Sequence, residues 1–84
     1  MNFFVYLIAS KRKGRIYSYV GYTNDLVRRL LQHNTSKGAK FTKGSNWLYL
    51  YIKKYDNKIR ALKEEYKLKK NYKLRKIIKK NYFE

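Results

Sequence analysis

Between Tyr19 and Asn34 (YVGYTNDLVRRLLQHN) a tyrosine, an arginine and the chain's one histidine fall at spacings that chemistry can use. Tyr19 lies near the end of an apolar run, Gly21 and the cluster Thr23, Asn24 and Asp25 turn the chain, and a basic amphipathic helix follows. Thr23, Asn24 and Asp25 all offer N-cap oxygens, Asp25 also suits the positive end of the helix dipole, and Asn34 with Gly38 supplies the stop. At about 100° per residue, Leu26, Val27, Leu30 and Leu31 form one apolar arc, with Arg29 and His33 together on its shoulder. Taken alone, that pair reads as a snorkelling arginine beside a solvated histidine. Gathered with a tyrosine at one strand-to-helix junction, the three groups make a place for chemistry.

Two further residues join them by position. Tyr6 sits in the apolar run FFVYLIA (Phe3 to Ala9), on the strand expected to pair with the one carrying Tyr19, so the two hydroxyls are expected to meet across the sheet. With 10 tyrosines in the chain, packing explains most of them, and only placement beside the Arg29 and His33 helix sets these two apart. Glu65 falls among Ile59, Ala61, Leu62, Tyr66 and Leu68 on the wheel of a later helix, in the middle of its apolar half, whereas Glu64 points toward water. A carboxylate on a buried arc costs several kcal/mol unless it is paired or holds a metal. An ion pair with a neighbouring lysine and metal ligation are the two ways out.

The elements that must position these groups follow from the pattern. Phe3 to Ala9 reads as a strand covered on both faces, Lys11 to Gly14 as a charged and rather long loop, and Arg15 to Val20 as the second strand of a hairpin. The two-residue period puts Tyr17, Tyr19 and Gly21 on one face. Beyond the first helix, Thr35 to Asn46 is a basic loop with glycines, whose Lys37, Lys40 and Lys43 face solvent and suit phosphate contacts. Trp47 to Tyr55 alternates Leu48, Leu50 and Ile52 against Trp47, Tyr49 and Tyr51, a third strand with two differently dressed faces. Asp56 and Asn57 cap a helix that runs to about Lys70, and Asn71 caps a short one with Leu74, Ile77 and Ile78 on one side.

Composition bounds the partners. The chain has 84 residues, which suits one domain spanning 1–84 with a modest core. Without cysteine, and with a single histidine, thiolate sites and His-based zinc sites are excluded, so any metal is held by oxygen, which favours magnesium or manganese. A formal charge of +17 points to a polyanion, and nucleic acid leads over anionic lipid because no helix has a long apolar face. The run Phe3 to Ala9 is too short to span a bilayer, and its positive charges follow it, so neither a membrane nor a signal peptide is expected and the cytoplasm is the default location.

The order Phe4-Val5-Tyr6, Tyr19-Val20-Gly21, Asp25, Arg29, His33 and Asn34, Lys37 to Lys40 (KGAK), and Ala61 to Glu65 (ALKEE) resembles the GIY-YIG nuclease superfamily, most closely its small stand-alone bacterial members. The resemblance covers roughly Asn2 to Ile78. It implies an α+β fold, three antiparallel strands packed with three helices in the order β-β-α-β-α-α, and hydrolysis of a phosphodiester bond with one divalent metal, Mg²⁺ or Mn²⁺. Carried over by position, Glu65 is the metal ligand, Tyr6 and Tyr19 are the tyrosines of the two motifs, Arg29 faces the scissile phosphate, His33 supports them, and Gly21 with Lys37, Lys40 and Lys43 lies along the nucleic acid. Phe4 stands where the first motif has glycine and Val5 where it has isoleucine, a change in packing, since tyrosine is the reactive member.

In-line attack by water loads charge onto the phosphate oxygens and the leaving 3′ oxygen, so it needs cations on both sides and a base. Arg29 supplies a planar fork for the phosphate. A phenol titrates near ~10, so Tyr6 as base needs its pKa lowered by cations or a relay through Tyr19 or His33. Tyr19 in place of Tyr6 as the base, and Asn71, Asn81 or neither as a last site asparagine, stay open. The expected activity is therefore a metal-dependent endonuclease acting on DNA, with branched DNA or RNA as variant substrates. The alternatives are a non-catalytic DNA- or RNA-binding module on the same fold and a bare basic ribosome-associated protein, the last of which leaves Glu65 unexplained. Oligomeric state is open.

Overall fold

Residues 1–35 and 37–84 are described by a computed structural model; Ser36, part of the Thr35 to Asn46 loop, lies outside the described residues. Three strands, β1 (Phe3–Arg12), β2 (Arg15–Thr23) and β3 (Leu48–Tyr55), form an antiparallel sheet in the order β2-β1-β3. Helices α1 (Leu26–Asn34), α2 (Lys58–Lys70) and α3 (Tyr72–Phe83) complete the expected α+β order β-β-α-β-α-α, with one 3₁₀ turn at Lys40–Thr42. Among the described residues no helix is long and apolar enough to cross a membrane.

The apolar run becomes the central strand because only a strand flanked on both edges and covered on both faces buries six consecutive side chains, Val5 through Ser10. One face of the sheet carries Val5, Leu7 and Val20 against Ala61 and Leu68 of α2, with Ile78 of α3 packed alongside. The other carries Tyr6, Ile8 and Trp47, covered by Leu30 of α1 and by Tyr17, Tyr19 and Tyr49. Each fully buried Leu or Ile of β1 contributes about 1.5–3 kcal/mol.

Three local expectations are corrected. The β1–β2 connection is no long loop: Arg12 pairs with Arg15, and Lys13 (φ 50°) with Gly14 (φ 79°) makes a two-residue turn with both central residues left-handed, matching the twist of the strands. In β3, Tyr49 and Tyr51 do not share a face. Pairing slips between Leu7↔Tyr51 and Ile8↔Tyr49, so Leu50 is the extra residue of a bulge, and Tyr51 joins the α2 side while Tyr49 joins the α1 side. The helix faces also differ from the hydropathy wheel. On α1, Val27 and Leu31 are exposed and His33 is the buried residue. On α2, Ala61 and Leu68 are buried with Glu64 and Glu65 half-buried beside them, while Ile59, Leu62 and Tyr66 look outward. Glu64 therefore does not point away from Glu65's face; it pairs with Lys67 at 3.3 Å on a half-buried flank.

Asp25 caps α1 by accepting the Arg28 N–H, Asn57 caps α2 through Arg60 N–H, and Asn71 caps α3 through Leu74 N–H. Asn71 also closes α2, so the α2–α3 joint is a single residue. Arg75 reaches back from α3 to two carbonyls at the end of α2, Lys69 and Leu68, the latter already accepting from the Asn71 N–H. This fixes α3 against the end of α2, and the helix also packs against β3.

Candidate active site

Register brings the tyrosines in. Tyr6 stands opposite Gly21 and Tyr19 opposite Ile8, two pairs along the ladder and so on the same face. A Cβ at Gly21 would run into the Tyr6 hydroxyl and ring carbon, so glycine is what lets the phenol lie across β2. Gly21, expected along the nucleic acid, is buried, and its geometric reason is Tyr6.

The Tyr6 hydroxyl does not meet that of Tyr19; it meets α1. Arg29 Nε donates to Tyr6 Oη at 3.2 Å, and Tyr6 Oη lies 2.9 Å from His33 Nε2. On the other side of the imidazole, Nδ1 lies 2.8 Å from Thr42 Oγ1, and Thr42 in turn donates to the Ala39 carbonyl at 2.8 Å. These partners assign every proton. Arginine only donates, so the Tyr6 oxygen accepts from Arg29 and its own proton goes to His33 Nε2. The Thr42 proton is taken by Ala39, so Thr42 accepts from His33 Nδ1–H. The result is a one-way chain, Arg29 to Tyr6 to His33 to Thr42 to Ala39, with a neutral imidazole protonated on Nδ1.

Charge and burial agree with that tautomer. His33 has no exposed surface, and burial, assisted by the nearby Arg29 cation, pulls its pKa down to about 4. The solvated histidine expected from the wheel is thus replaced by a fully enclosed one. Tyr6 is shifted the other way. Burial raises its pKa and outweighs the lowering by Arg29's hydrogen bond and charge, while Tyr19 and the Glu65 carboxylate push it further up. The condition that cations lower this pKa is met in part only, because the single nearby arginine does not overcome enclosure. Tyr49, edge-on to Tyr6 with ring centroids 5.4 Å apart and its hydroxyl bound to the Leu26 carbonyl, is pushed up to about 12, chiefly by burial.

The loop after α1 closes the pocket around the histidine. A Cβ at Gly38 would collide with His33 Nδ1, and the Ala39 carbonyl ends the hydrogen-bond chain, so the Lys-Gly-Ala-Lys segment has an internal role beside its cations. Asn34 binds the Trp47 backbone through both its amide oxygen and nitrogen, and the Trp47 indole donates to the Thr42 carbonyl at 2.8 Å. Thr42, Gly38 and Asn34 hold the imidazole in place, and only Gly38 and Asn34 carried any sequence signal. Lys37, Lys40 and Lys43 are exposed.

Tyr19 packs its ring edge-on to His33, centroids 5.5 Å apart, and stacks on Phe41 at 6.2 Å and 21°. Glu65 comes from α2, on the opposite face of the sheet, yet its carboxylate is near enough to act electrostatically on Tyr6. Its side chain is 19% exposed and pairs with Lys69 at 3.6 Å. As a metal site the donor set is sparse: among the described residues no group of three or more His, Cys, Asp and Glu side chains is placed to hold an ion. Glu65 is the carboxylate that would hold a hydrated magnesium or manganese ion, which one or two carboxylates suffice to bind. Lys69 is half-exposed.

Tyr6, Arg29 and His33 thus form one hydrogen-bonded cluster with Tyr19 packed on it and Glu65 on the far side of the sheet, and residues 2–80 match the description "GIY-YIG catalytic domain". The chain belongs to the GIY-YIG family, whose members are generally endonucleases acting on nucleic acid. It is similar to small proteins named UPF0213: one from Oceanobacillus iheyensis is 52% identical over 52 residues, covering 61% of this chain and 60% of that protein. One from Vibrio campbellii is 42% identical over 73 residues, 86% of this chain and 67% of the relative. The solution structure of the Bacillus halodurans UPF0213 protein aligns with 99% of this chain and 86% of that one at 31% identity, with a TM-score of 0.49. The matched part spans less than two thirds of the Oceanobacillus protein and 53% of a Bacillus pumilus relative.

Proposed function

We propose that the chain is a metal-dependent endonuclease that hydrolyses DNA phosphodiester bonds, with Tyr6 as the base that receives the proton of the attacking water. The observation that carries this reading is the one-way hydrogen-bond chain through Tyr6. Because the phenol proton already points at the free lone pair of His33 Nε2, Tyr6 can accept a proton from water while passing its own to His33. The water oxygen bonds to phosphorus, the bond to the 3′ oxygen breaks, and that oxygen takes a proton from solvent. Enclosure keeps His33 a weak acceptor in the free protein, and the negative charge of a bound phosphate raises its basicity at the moment it is needed.

Arg29 uses Nε on Tyr6 and Nη1 on Gln32 at 3.0 Å, which leaves its other N–H groups to stabilise the charge that builds on the phosphate. Glu65 is the residue that would hold magnesium or manganese, and the ion would supply positive charge to balance that building up on the phosphate. Tyr19 packs against His33 and keeps the imidazole edge dry. Lys37, Lys40 and Lys43 hold the strand along the loop.

Binding without turnover, on DNA or RNA, has one observation on its side: the 3.6 Å Glu65–Lys69 pair, which neutralises the carboxylate. Nicking of plasmid, branched DNA and RNA with magnesium or manganese separates the two. The nuclease reading expects metal-dependent product from the wild type and a loss of at least ~10² in rate for Arg29→Ala and Glu65→Ala. Absence of product from the wild type with either metal, together with salt-sensitive binding, would leave the binding module.

A further inference from the structure

Beside the candidate site, the β2 edge and the start of α3 enclose a groove of about 260 Å³ lined by Ser18, Tyr19, Val20, Phe41, Lys69 and Arg75. That volume lies below the roughly 300 Å³ at which drug-sized ligand pockets begin, and suits one planar ring with part of its sugar. The groove touches the proposed machinery at both ends. Tyr19 packs on His33, and Lys69 pairs with Glu65. Its floor and wall are aromatic: Phe41 is 51% exposed although it already stacks on Tyr19 and lies 6.1 Å from the Trp47 ring. A half-exposed phenylalanine held between two rings is a rigid π-face turned to solvent. Its rim is cationic, with Lys69 half-exposed and the Arg75 guanidinium fixed by the Leu68 and Lys69 carbonyls.

We propose that this groove receives one unpaired nucleobase, stacked on Phe41, so that the preferred substrate carries an unpaired nucleotide next to the phosphate that is cut. The proposal rests on the nuclease reading for the word "cut" and deepens it by naming the substrate class; the binding half stands by itself. A base inside a duplex already has neighbours on both faces and cannot offer one to Phe41, whereas a base in a single strand, flap or loop can. Aromatic faces and cations in one groove are the pairing that single strands use, since stacking takes any base and the cations follow the backbone. The alternative occupant, an apolar side chain of a protein partner, gains nothing from the two cations on the rim.

The test measures binding in EDTA, where no cleavage occurs, so failure of the nuclease reading leaves it intact. A single-stranded oligonucleotide carrying 2-aminopurine and the same sequence as a duplex are titrated with wild type, Phe41→Leu and Phe41→Trp. Phe41→Leu keeps the apolar bulk and removes the π-face. The groove predicts a loss on the order of tenfold for the single strand, no loss for the duplex, recovery with Phe41→Trp, and quenching of 2-aminopurine by the wild type but not by Phe41→Leu. The duplex arm doubles as the folding control. Equal losses on both oligonucleotides, or no loss on either, would overturn it.

Discussion

At the scale of single residues, the site depends on a histidine that is kept uncharged. His33 is the only histidine, has no exposed surface, and its pKa is held at about 4 against an ordinary value of 6.5. A group whose folded pKa is depressed in this way binds its proton in the unfolded chain first, so stability is full above pH 6.5 and is lost as pH falls toward 4. The loss amounts to about 3 kcal/mol below that window. Melting curves from pH 7 to pH 4 should therefore fall steeply for the wild type, and His33→Gln should flatten the upper part of that slope. A wild-type melting temperature that is level between pH 6.5 and pH 5 would contradict the enclosed neutral imidazole. The same residue shows where the sequence stops informing: hydropathy ranks Val27 and Leu31 as core and His33 as surface, but α1 turns its Leu26, Leu30 and His33 side to the sheet. Thr42 and the Ala39 carbonyl supply the acceptor that makes burial of an imidazole affordable, and a nine-residue separation across a loop leaves no periodic trace.

Elements were legible wherever local chemistry decides them. The caps at Asp25, Asn57 and Asn71 and the three strand runs stand close to their expected places because capping oxygens and β-branched or aromatic runs act within a few residues. The buried face of α2 was not legible. Ile59, Leu62 and Tyr66 outweigh Ala61 on any hydropathy wheel, yet close approach to the sheet selects the small Ala61 and Leu68. The bulge at Leu50 depends on pairing with β1, which no window of β3 contains. The tight turn at Lys13 and Gly14 was hidden because lysine is a poor signal for a left-handed position. That mismatch predicts a gain: Lys13→Asn, which tolerates positive φ, should raise unfolding stability on the order of 0.5 kcal/mol in denaturant titration without changing nucleic-acid binding. An unchanged or lowered midpoint would argue against a left-handed residue at this turn.

On the scale of the whole molecule, the sheet separates the proposed participants. Tyr6, Arg29 and His33 lie on the α1 side and Glu65 projects from α2 on the other, where its influence on the phenol is electrostatic. The chain's formal charge of +17 suits a polyanionic partner, for which log K is expected to fall by ~0.9 for each duplex phosphate neutralised as salt rises. Groups from opposite faces that act on one phosphate form a unit, and removing either disables the other. A double-mutant cycle on metal-dependent nicking, with wild type, Tyr6→Phe, Glu65→Gln and the pair, tests this most directly. The mechanism predicts a loss of at least ~10² for each single variant and no further loss for the double. Full activity in Tyr6→Phe, or losses that simply multiply, would contradict it.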